Sequence, residues 1–361
     1  MPVRPPRIAL SRPKLDAAGH AALGARWRTL EAAADPSPFQ TWTWIGCAAE
    51  RADPLLIEAH DGDGLLALAL WNRRRSWLAG DSLWLHETGD PALDAVFTEY
   101  NDPLLARRAP EGVLAAMLRA ALQSRDGRAP RLVLSGVGAA TRDAALGVGV
   151  AALPGPDRPA PYVDLARVPL GTAYIEQLSR NTRQQLRRSD RAYAAGGALR
   201  IERAADAGQA LTFLHALIAL HDATWAARGK PGAFATEPVR RFHHRLIQRG
   251  APDEAELLRI TAGGRVVGYL YNLLRGGWAC AYQSGFDYPG AGPHGKPGLT
   301  CHHLAIEMHR ARGGTCYDFL GGADRYKRSL SNAERTLHWL SLAPPGHPAA
   351  LLAEVKRLLR R

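Results

Sequence analysis

Three apolar runs, residues 257–262, 265–274 and 278–286, are separated only by Gly263-Gly264 and Gly276-Gly277. Paired glycines take the positive φ of a tight two-residue turn without the Cβ penalty other residues incur. The spacing therefore predicts a three-strand antiparallel meander and commits this part of the chain to a sheet. Residues 288–298, with glycine at 290, 292, 295 and 298, are too rich in Gly and Pro for either regular element. Residues 299–312 then read as a helix, with Leu299, Leu304, Ile306 and Met308 apolar and Gly313-Gly314 as its stop. A short apolar run at 315–320 reads as a strand. A polar turn closes the stretch with Asp324, Arg325, Tyr326 and Lys327.

A glycine-rich loop that feeds the first turn of a helix offers unpaired N–H groups and the positive end of the helix dipole. Gly295, Lys296, Gly298, Leu299 and Thr300 are therefore candidates to hold a phosphate. A purely structural loop is the competing reading, because the motif alone is weak.

The same order of elements occurs earlier. Residues 55–60, 65–73 and 82–86 read as strands, 111–124 as an amphipathic helix and 131–137 as another strand. Upstream, 17–34 reads as an alanine-rich helix, and Asp35 or Ser37 is placed to cap a helix carrying Trp42, Trp44 and Ile45. Those tryptophans read as core anchors. Strand, strand, strand, helix, strand thus occurs twice without residue-level similarity, which predicts two similar α/β units. The first copy lacks the glycine loop and has Tyr100-Asn-Asp-Pro-Leu-Leu105 instead, so the second copy is the one expected to hold a cofactor. Residues 154–161 are proline-rich and read as a linker between units 1–153 and 162–361.

The second unit begins with a short strand at 162–165, followed by one long helix over 171–195. Arg180, Arg183, Arg187, Arg188 and Arg191 crowd this helix, and Asp190 is the single acid in the run. Arg183 and Arg187 share a face. Two guanidinium forks on one face suit a phosphate or carboxylate, the alternative being a solvated basic surface. Further helices are expected over 206–228 and 239–249. Trp225 and Phe234 either line a pocket or cover the core.

The chain has 361 residues, enough for two ordinary domains, and its 46% hydrophobic and 22% charged residues mark it as globular. A formal net charge of +12, largely from arginine, favours an anionic partner such as CoA, a nucleotide sugar, tRNA or a membrane surface. Cys47, Cys280, Cys301 and Cys316 form no Cys-x-x-Cys pair and no zinc spacing, and His215 and His221 do not share a helical face, so no metal is expected. Residues 1–7 show no signal peptide, and no apolar run is long enough for a membrane span, which leaves the cytoplasm as the expected location. No helix-turn-helix, zinc-finger or RRM signature points to sequence-specific nucleic-acid binding.

Several stretches match one another's order and spacing in a known way. These are Leu178-Ser-Arg-Asn-Thr-Arg-Gln-Gln-Leu-Arg-Arg188, Trp225-Ala-Ala-Arg-Gly229, Tyr282-Gln-Ser-Gly-Phe-Asp287, Pro297-Gly298 and Tyr317-Asp-Phe-Leu-Gly-Gly322 with Tyr326-Lys327. Over about residues 162–330 they resemble the FemAB-like, CelD/BcsL-type acetyltransferases of the GNAT superfamily; Pro38-Phe39 adds little in the first half. The resemblance implies an α/β fold of tandem GNAT-like units, each a mixed, mostly antiparallel sheet flanked by helices. It implies N-acyl transfer from acyl-CoA, with acetyl-CoA the first expectation, to an amine acceptor of the cell envelope or of polysaccharide metabolism. The CoA pyrophosphate is expected at the helix start, and the strand 278–286 is expected to splay from its neighbour and offer an N–H to the carbonyl.

The resemblance gives residue roles as well. Tyr326 is the candidate to protonate the leaving thiolate, and Lys327 to stabilise an oxyanion or a substrate phosphate. Asp318 is the carboxylate available for base or ammonium contact, or else an ion-pair partner of Arg325 or Lys327. Arg183, Arg187, Trp225, Tyr282 and Ser284 are candidates for substrate binding. Relatives use either acyl-CoA or aminoacyl-tRNA, so a Fem-like aminoacyl transfer is the first alternative. A silent binding protein for an anionic glycan or nucleotide is the second.

Overall fold

A computed structural model of the chain describes residues 6–51, 53–124 and 129–358. Residues 1–5, part of the stretch read for a targeting signal, lie outside them. The chain packs as two compact units, residues 1–158 with 336–361 and residues 159–335.

In the first unit β1 (Arg7–Ser11), β2 (Leu55–Asp61), β3 (Gly64–Arg74) and β4 (Ser82–Leu85) pair antiparallel in sequence order. Strand β5 (Leu104–Leu105) adds to β3, and β6 (Arg131–Val137) lies parallel to β4. Helices α1 (Ala17–Ala32), α2 (Trp42–Ala49), α3 (Pro91–Asp94), α4 (Val113–Leu122) and α5 (Ala139–Leu146) complete it, with a C-terminal helix, Pro348–Leu358. Val113, Met117, Leu118 and Ala121 form one face of α4 and enter a core with Ile57, Leu66, Trp71, Leu132 and Leu134. Each large aliphatic side chain so buried contributes about 1.5–3 kcal/mol. Trp42 and Trp44 are buried as expected. The cap of α2 is neither Asp35 nor Ser37 but Thr41, whose Oγ1 accepts from Trp44 N–H at 3.4 Å. Ser37 instead caps a separate turn, Pro38–Gln40, and Asp35 pairs with Arg107.

The C-terminal strand, Ala333–Ala343, pairs with β6, Leu340 lying opposite Leu134. Residues 336–361 therefore pack with the first unit, where the sequence reading grouped them with the second. The proline-rich segment is strand rather than linker: β7 (Ala151–Pro154) pairs with the C-terminal strand, and β8 (Arg158–Asp164) starts the second unit's sheet. Its prolines serve through their carbonyls, Pro161 accepting from Phe319 N–H and Pro159 from Gly322 N–H, so the missing donors cost nothing.

The second unit adds α6 (Arg180–Ala194), β9 (Leu199–Arg203), α7 (Ala207–Ala226), α8 (Glu237–Gly250), β10 (Ala255–Ala262), β11 (Arg265–Arg275), β12 (Trp278–Phe286), α9 (Pro297–Ala311), β13 (Cys316–Asp318) and α10 (Arg325–Leu330). Its sheet order is β8-β13-β12-β11-β10-β9. All these pairs are antiparallel except β12 with β13. The four hairpin glycines all have positive φ, between 54° and 85°. Helix α6 starts at Arg180, not at 171, because Ser179 caps it, its Oγ accepting from Thr182 N–H at 3.2 Å. Residues Tyr174–Gln177 form a separate turn before it. The core beneath α6 and α9 joins Leu186, Leu258, Leu270, Phe286, Cys301 and Ile306. Helices α7 and α8 cover the other face, where Phe213 meets Tyr269, and His243 meets Tyr271 and Tyr282.

Candidate active site

The β12–β13 ladder has only three steps, Trp278 with Cys316, Ala279 with Tyr317 and Cys280 with Asp318. From Ala281 onward no strand among the described residues pairs with β12 on that side, while β12 continues against β11 to Phe286. The two parallel strands therefore part beyond Cys280. A β-bulge sits where they part: Tyr271 lies opposite Gln283 and Asn272 opposite Ala281, so Tyr282 is the extra residue. Residues directly opposite share a face. The bulge thus reverses the alternation, and it puts Ser284, opposite Leu270, and Phe286 on the α9 face while Tyr282 stays on the α7 and α8 face.

Helix α9 begins at the far end of this gap. No side chain caps its N-terminus, Pro297 has no N–H to satisfy, and no acceptor is found among the described residues for the N–H of Gly298 or Leu299. A Cβ on Gly295 would fall 2.0 Å from Ala291 O and 3.0 Å from Tyr193 Oη, so this turn admits only glycine. The Tyr193 hydroxyl is buried without a hydrogen-bond partner among the described residues, and burial pushes its pKa up to about 12. Helix α6 steadies the turn: Lys296 N–H donates to Ser189 Oγ at 2.8 Å and Lys296 Nζ to Gln185 Oε1 at 2.7 Å. Thr300 is turned inward, its hydroxyl donating to Asp190 at 2.7 Å, and His303 Nδ1 meets the same carboxylate at 3.1 Å. An orphaned hydroxyl, a side-chain-free turn and two open N–H groups fit a phosphate-bearing ligand.

Tyr326 lies on α10, just after the β13 turn. Its ring stacks on His302 of α9, with centroids 5.8 Å apart and planes 19° apart, and meets Phe319 edge-on. His302 in turn touches Phe286 at the end of β12, and its Nδ1 lies 3.0 Å from Tyr317 Oη. Tyr326 is 41% exposed as a residue, and desolvation on the side packed against α9, with Asp324 adding to the effect, holds its hydroxyl above the ordinary tyrosine value, so it is a protonated phenol at neutral pH. Burial, and then the Lys327 charge, depresses His302 to about 3, so its imidazole is neutral. The structure therefore brings Gly298, Phe286, His302 and Tyr326 together, the Gly298 Cβ position lying 3.3 Å from the Phe286 ring.

The other predicted residues have defined places. The Lys327 ammonium donates to Gly321 O at 2.8 Å and Leu320 O at 3.3 Å, closing the turn after β13. Asp318 is fully buried, accepting from Leu320 N–H at 2.7 Å and from Arg335 at 3.1 Å. Arg335, on the strand after α10, is thus an ion-pair partner of Asp318. Arg183 and Arg187 do share a carboxylate, but it is the chain's own Glu176, at 3.6 and 2.5 Å. Trp225 lies against His221, with Arg228 over its ring. His221 donates from Nδ1 to Ser284 O and accepts the Ala233 N–H on Nε2, both at 3.0 Å, so its neutral tautomer is fixed. Tyr282 is buried beside His243, 3.3 Å from its Nε2. His302 was missing from the sequence reading. Arg188, named there only as part of the basic helix, is exposed, with no partner among the described residues, one residue before Ser189 on the helix that braces the loop. Among the described residues no cluster of His, Cys, Asp or Glu is placed to hold a metal.

The first unit repeats the three-step parallel ladder, Ser82 to Trp84 against Arg131 to Val133. Its gap is filled by its own chain. Asn101 N–H donates to Gly136 O at 3.1 Å, and Asn101 Nδ2 donates to Leu85 O at 2.8 Å. The segment that replaces the glycine loop in sequence thus occupies this cleft.

Residues 180–328 match the family model described as the acetyltransferase (GNAT) domain. No curated protein matches the sequence. Among solved structures the chain is similar to FemX, with a TM-score of 0.58 at 9% identity over 88% of this chain and 95% of that one. It is also similar to the C-terminal domain of a putative lysylphosphatidylglycerol synthetase from Agrobacterium fabrum, with a TM-score of 0.56 at 12% identity over 94% and 96%. L-PGS from Bacillus licheniformis gives a TM-score of 0.56 at 12% identity over 97% and 98%. Residues 180–328 thus carry an acetyltransferase (GNAT) domain, and in its mixed, mostly antiparallel sheets the chain shares the fold of FemX and of the lysylphosphatidylglycerol synthetase domain.

Proposed function

We propose that the second unit transfers an acyl group, acetyl in the simplest case, from acyl-CoA to an amine. The observation that carries this reading is the open edge of β12, which runs between an uncapped helix start and the hydroxyl of Tyr326. Amide formation requires an amine placed against a polarised carbonyl and a proton delivered to the departing sulfur. The N–H groups along the edge of β12 past the last step of the β13 ladder are fixed donors for a developing oxyanion. Tyr326, protonated at neutral pH, gives its proton to the sulfur as the C–S bond breaks and the C–N bond forms, and the proton shed by the amine nitrogen passes through water to restore the phenol. The N–H groups of Gly298 and Leu299, with Lys296 and Arg188 beside them, hold the pyrophosphate. Ser284, turned to the same face by the bulge, orients the acceptor. Lys327 and Asp318 act by holding the turn that carries Tyr326. The net charge of +12 favours an anionic acceptor, of the kind found in the cell envelope or in polysaccharides.

A second reading replaces acyl-CoA with aminoacyl-tRNA. The fold likeness to a lysylphosphatidylglycerol synthetase and the positive charge favour it. Thermal unfolding separates the two. Acetyl-CoA at ten times its dissociation constant stabilises a native-state binder by about 1.4 kcal/mol. No shift with acetyl-CoA, longer acyl-CoAs or CoA, together with retention of aminoacyl-tRNA, overturns the CoA reading in favour of its rival.

A further inference from the structure

The turn between β3 and β4 projects Trp77 and Leu78 into solvent, 86% and 72% exposed, in a chain whose other large aromatics are mostly in its core. A second apolar surface lies on the C-terminal helix, where Leu351, Leu352, Val355 and Leu358 are 50–61% exposed. Leu351, Val355 and Leu358 recur at helical spacing and form one stripe. Both surfaces are anchored at one joint of the first unit. His347, which precedes the helix, is buried and meets Asp81 O through Nε2 at 3.0 Å. A Cβ on Gly80 would fall 2.5 Å from the same Nε2, so the end of the turn rests directly on the helix start.

Exposed cations stand at the turn: Arg74 and Arg75 run into it, and Arg12 and Arg75 both act on Arg73. A protruding aromatic, an apolar helical stripe and flanking arginines are the composition of a surface that lies in a lipid headgroup layer. Tryptophan favours that layer because its ring is apolar and its N–H is polar. Anionic lipid attracts basic residues held near its surface. No helix among the described residues is long and apolar enough to cross a membrane.

We infer that the first unit docks on an anionic bilayer surface through Trp77, Leu78 and the Leu351–Val355–Leu358 stripe. Flotation of the full chain with phosphatidylcholine vesicles, with and without phosphatidylglycerol, tests this. Binding is expected only to the anionic vesicles, and it weakens at high salt. Trp77→Ser with Leu78→Ser, and separately Leu351→Ser with Val355→Ser, each lower partitioning about tenfold or more, equivalent to about 1.4 kcal/mol. Their unfolding temperatures stay those of the parent, and Leu170→Ser, an equally exposed change in the second unit, has no effect. Absence of flotation, or equal binding to both vesicle types, overturns the inference. A dimer in solution that the Trp77 and Leu78 changes dissociate also overturns it, in favour of a second copy of the chain.

Discussion

Gly295→Ala is the sharpest perturbation of the loop before α9. The added Cβ falls 2.0 Å from Ala291 O and 2.8 Å from Ala291 C. Both are backbone atoms, so no side chain can swing away, and the turn must open by roughly 1.5 Å to restore a contact near 3.5 Å. Overpacking of this kind costs about 1–3 kcal/mol. For a unit of this size each kcal/mol lowers the unfolding temperature by about 2–4 °C. The same opening displaces the N–H groups of Gly298 and Leu299, and a misplacement of about 1 Å costs on the order of a hundredfold in rate. Gly298→Ala is the control, because its Cβ meets only the Phe286 ring at 3.3 Å, which can give a few tenths of an ångström. Thermal unfolding with and without acetyl-CoA reads both effects. Gly295→Ala loses stability and most of the ligand-induced shift, whereas Gly298→Ala keeps its stability. A Gly295→Ala protein with the parent's unfolding temperature and an unchanged acetyl-CoA shift refutes the reasoning.

Other changes follow from the same geometry. Tyr326→Phe lowers kcat by about a hundredfold or more while the KM for acyl-CoA and the melting temperature hold, since the ring keeps its stack on His302 and only the proton is lost. Replacing Arg183 and Arg187 together by Gln costs less than about 1 kcal/mol and leaves acetyl-CoA affinity unchanged, because their anion is the half-exposed Glu176; Arg188→Gln weakens that affinity, as calorimetric titration will show. Glu87 is buried, and burial lifts its pKa from 4.5 to about 8, so the native state keeps a proton that the unfolded chain releases. Stability therefore falls as pH rises through that window. His86, depressed from 6.5 to about 4, opposes the trend only below 6.5. Between pH 6.5 and 8 denaturant unfolding should show a loss of about 2 kcal/mol that Glu87→Gln removes.

The parts of the fold that announce themselves in the sequence are those fixed by local chemistry. The meander was legible because two glycine pairs leave no other turn, and the helix after the loop because Pro297 and Gly313 bracket it. The bulge at Tyr282 leaves no mark in composition, yet it decides which face Ser284 takes. Of the apolar residues read in α9, Ile306 is buried, whereas Leu299, Leu304 and Met308 are only partly so. The buried face runs through Thr300, Cys301, His302 and Ala305. A buried histidine can sit there because Tyr317 supplies its partner from β13, a contact made only in the folded unit. Treating residues 171–195 as one helix hid the break at Ser179, which lets Glu176 turn back to Arg183 and Arg187. Arg335, a partner of Asp318, lies seventeen residues on, past α10, beyond the reach of local pattern.

Hydrogen–deuterium exchange of the full chain with acetyl-CoA tests the central claim most directly, because it needs neither the acceptor nor turnover. Protection is predicted in peptides covering residues 281–286 and 292–301, the open edge of β12 and the start of α9, with the first unit unchanged. Protection confined to the first unit, or protection of the second unit by aminoacyl-tRNA and not by acetyl-CoA, would contradict it.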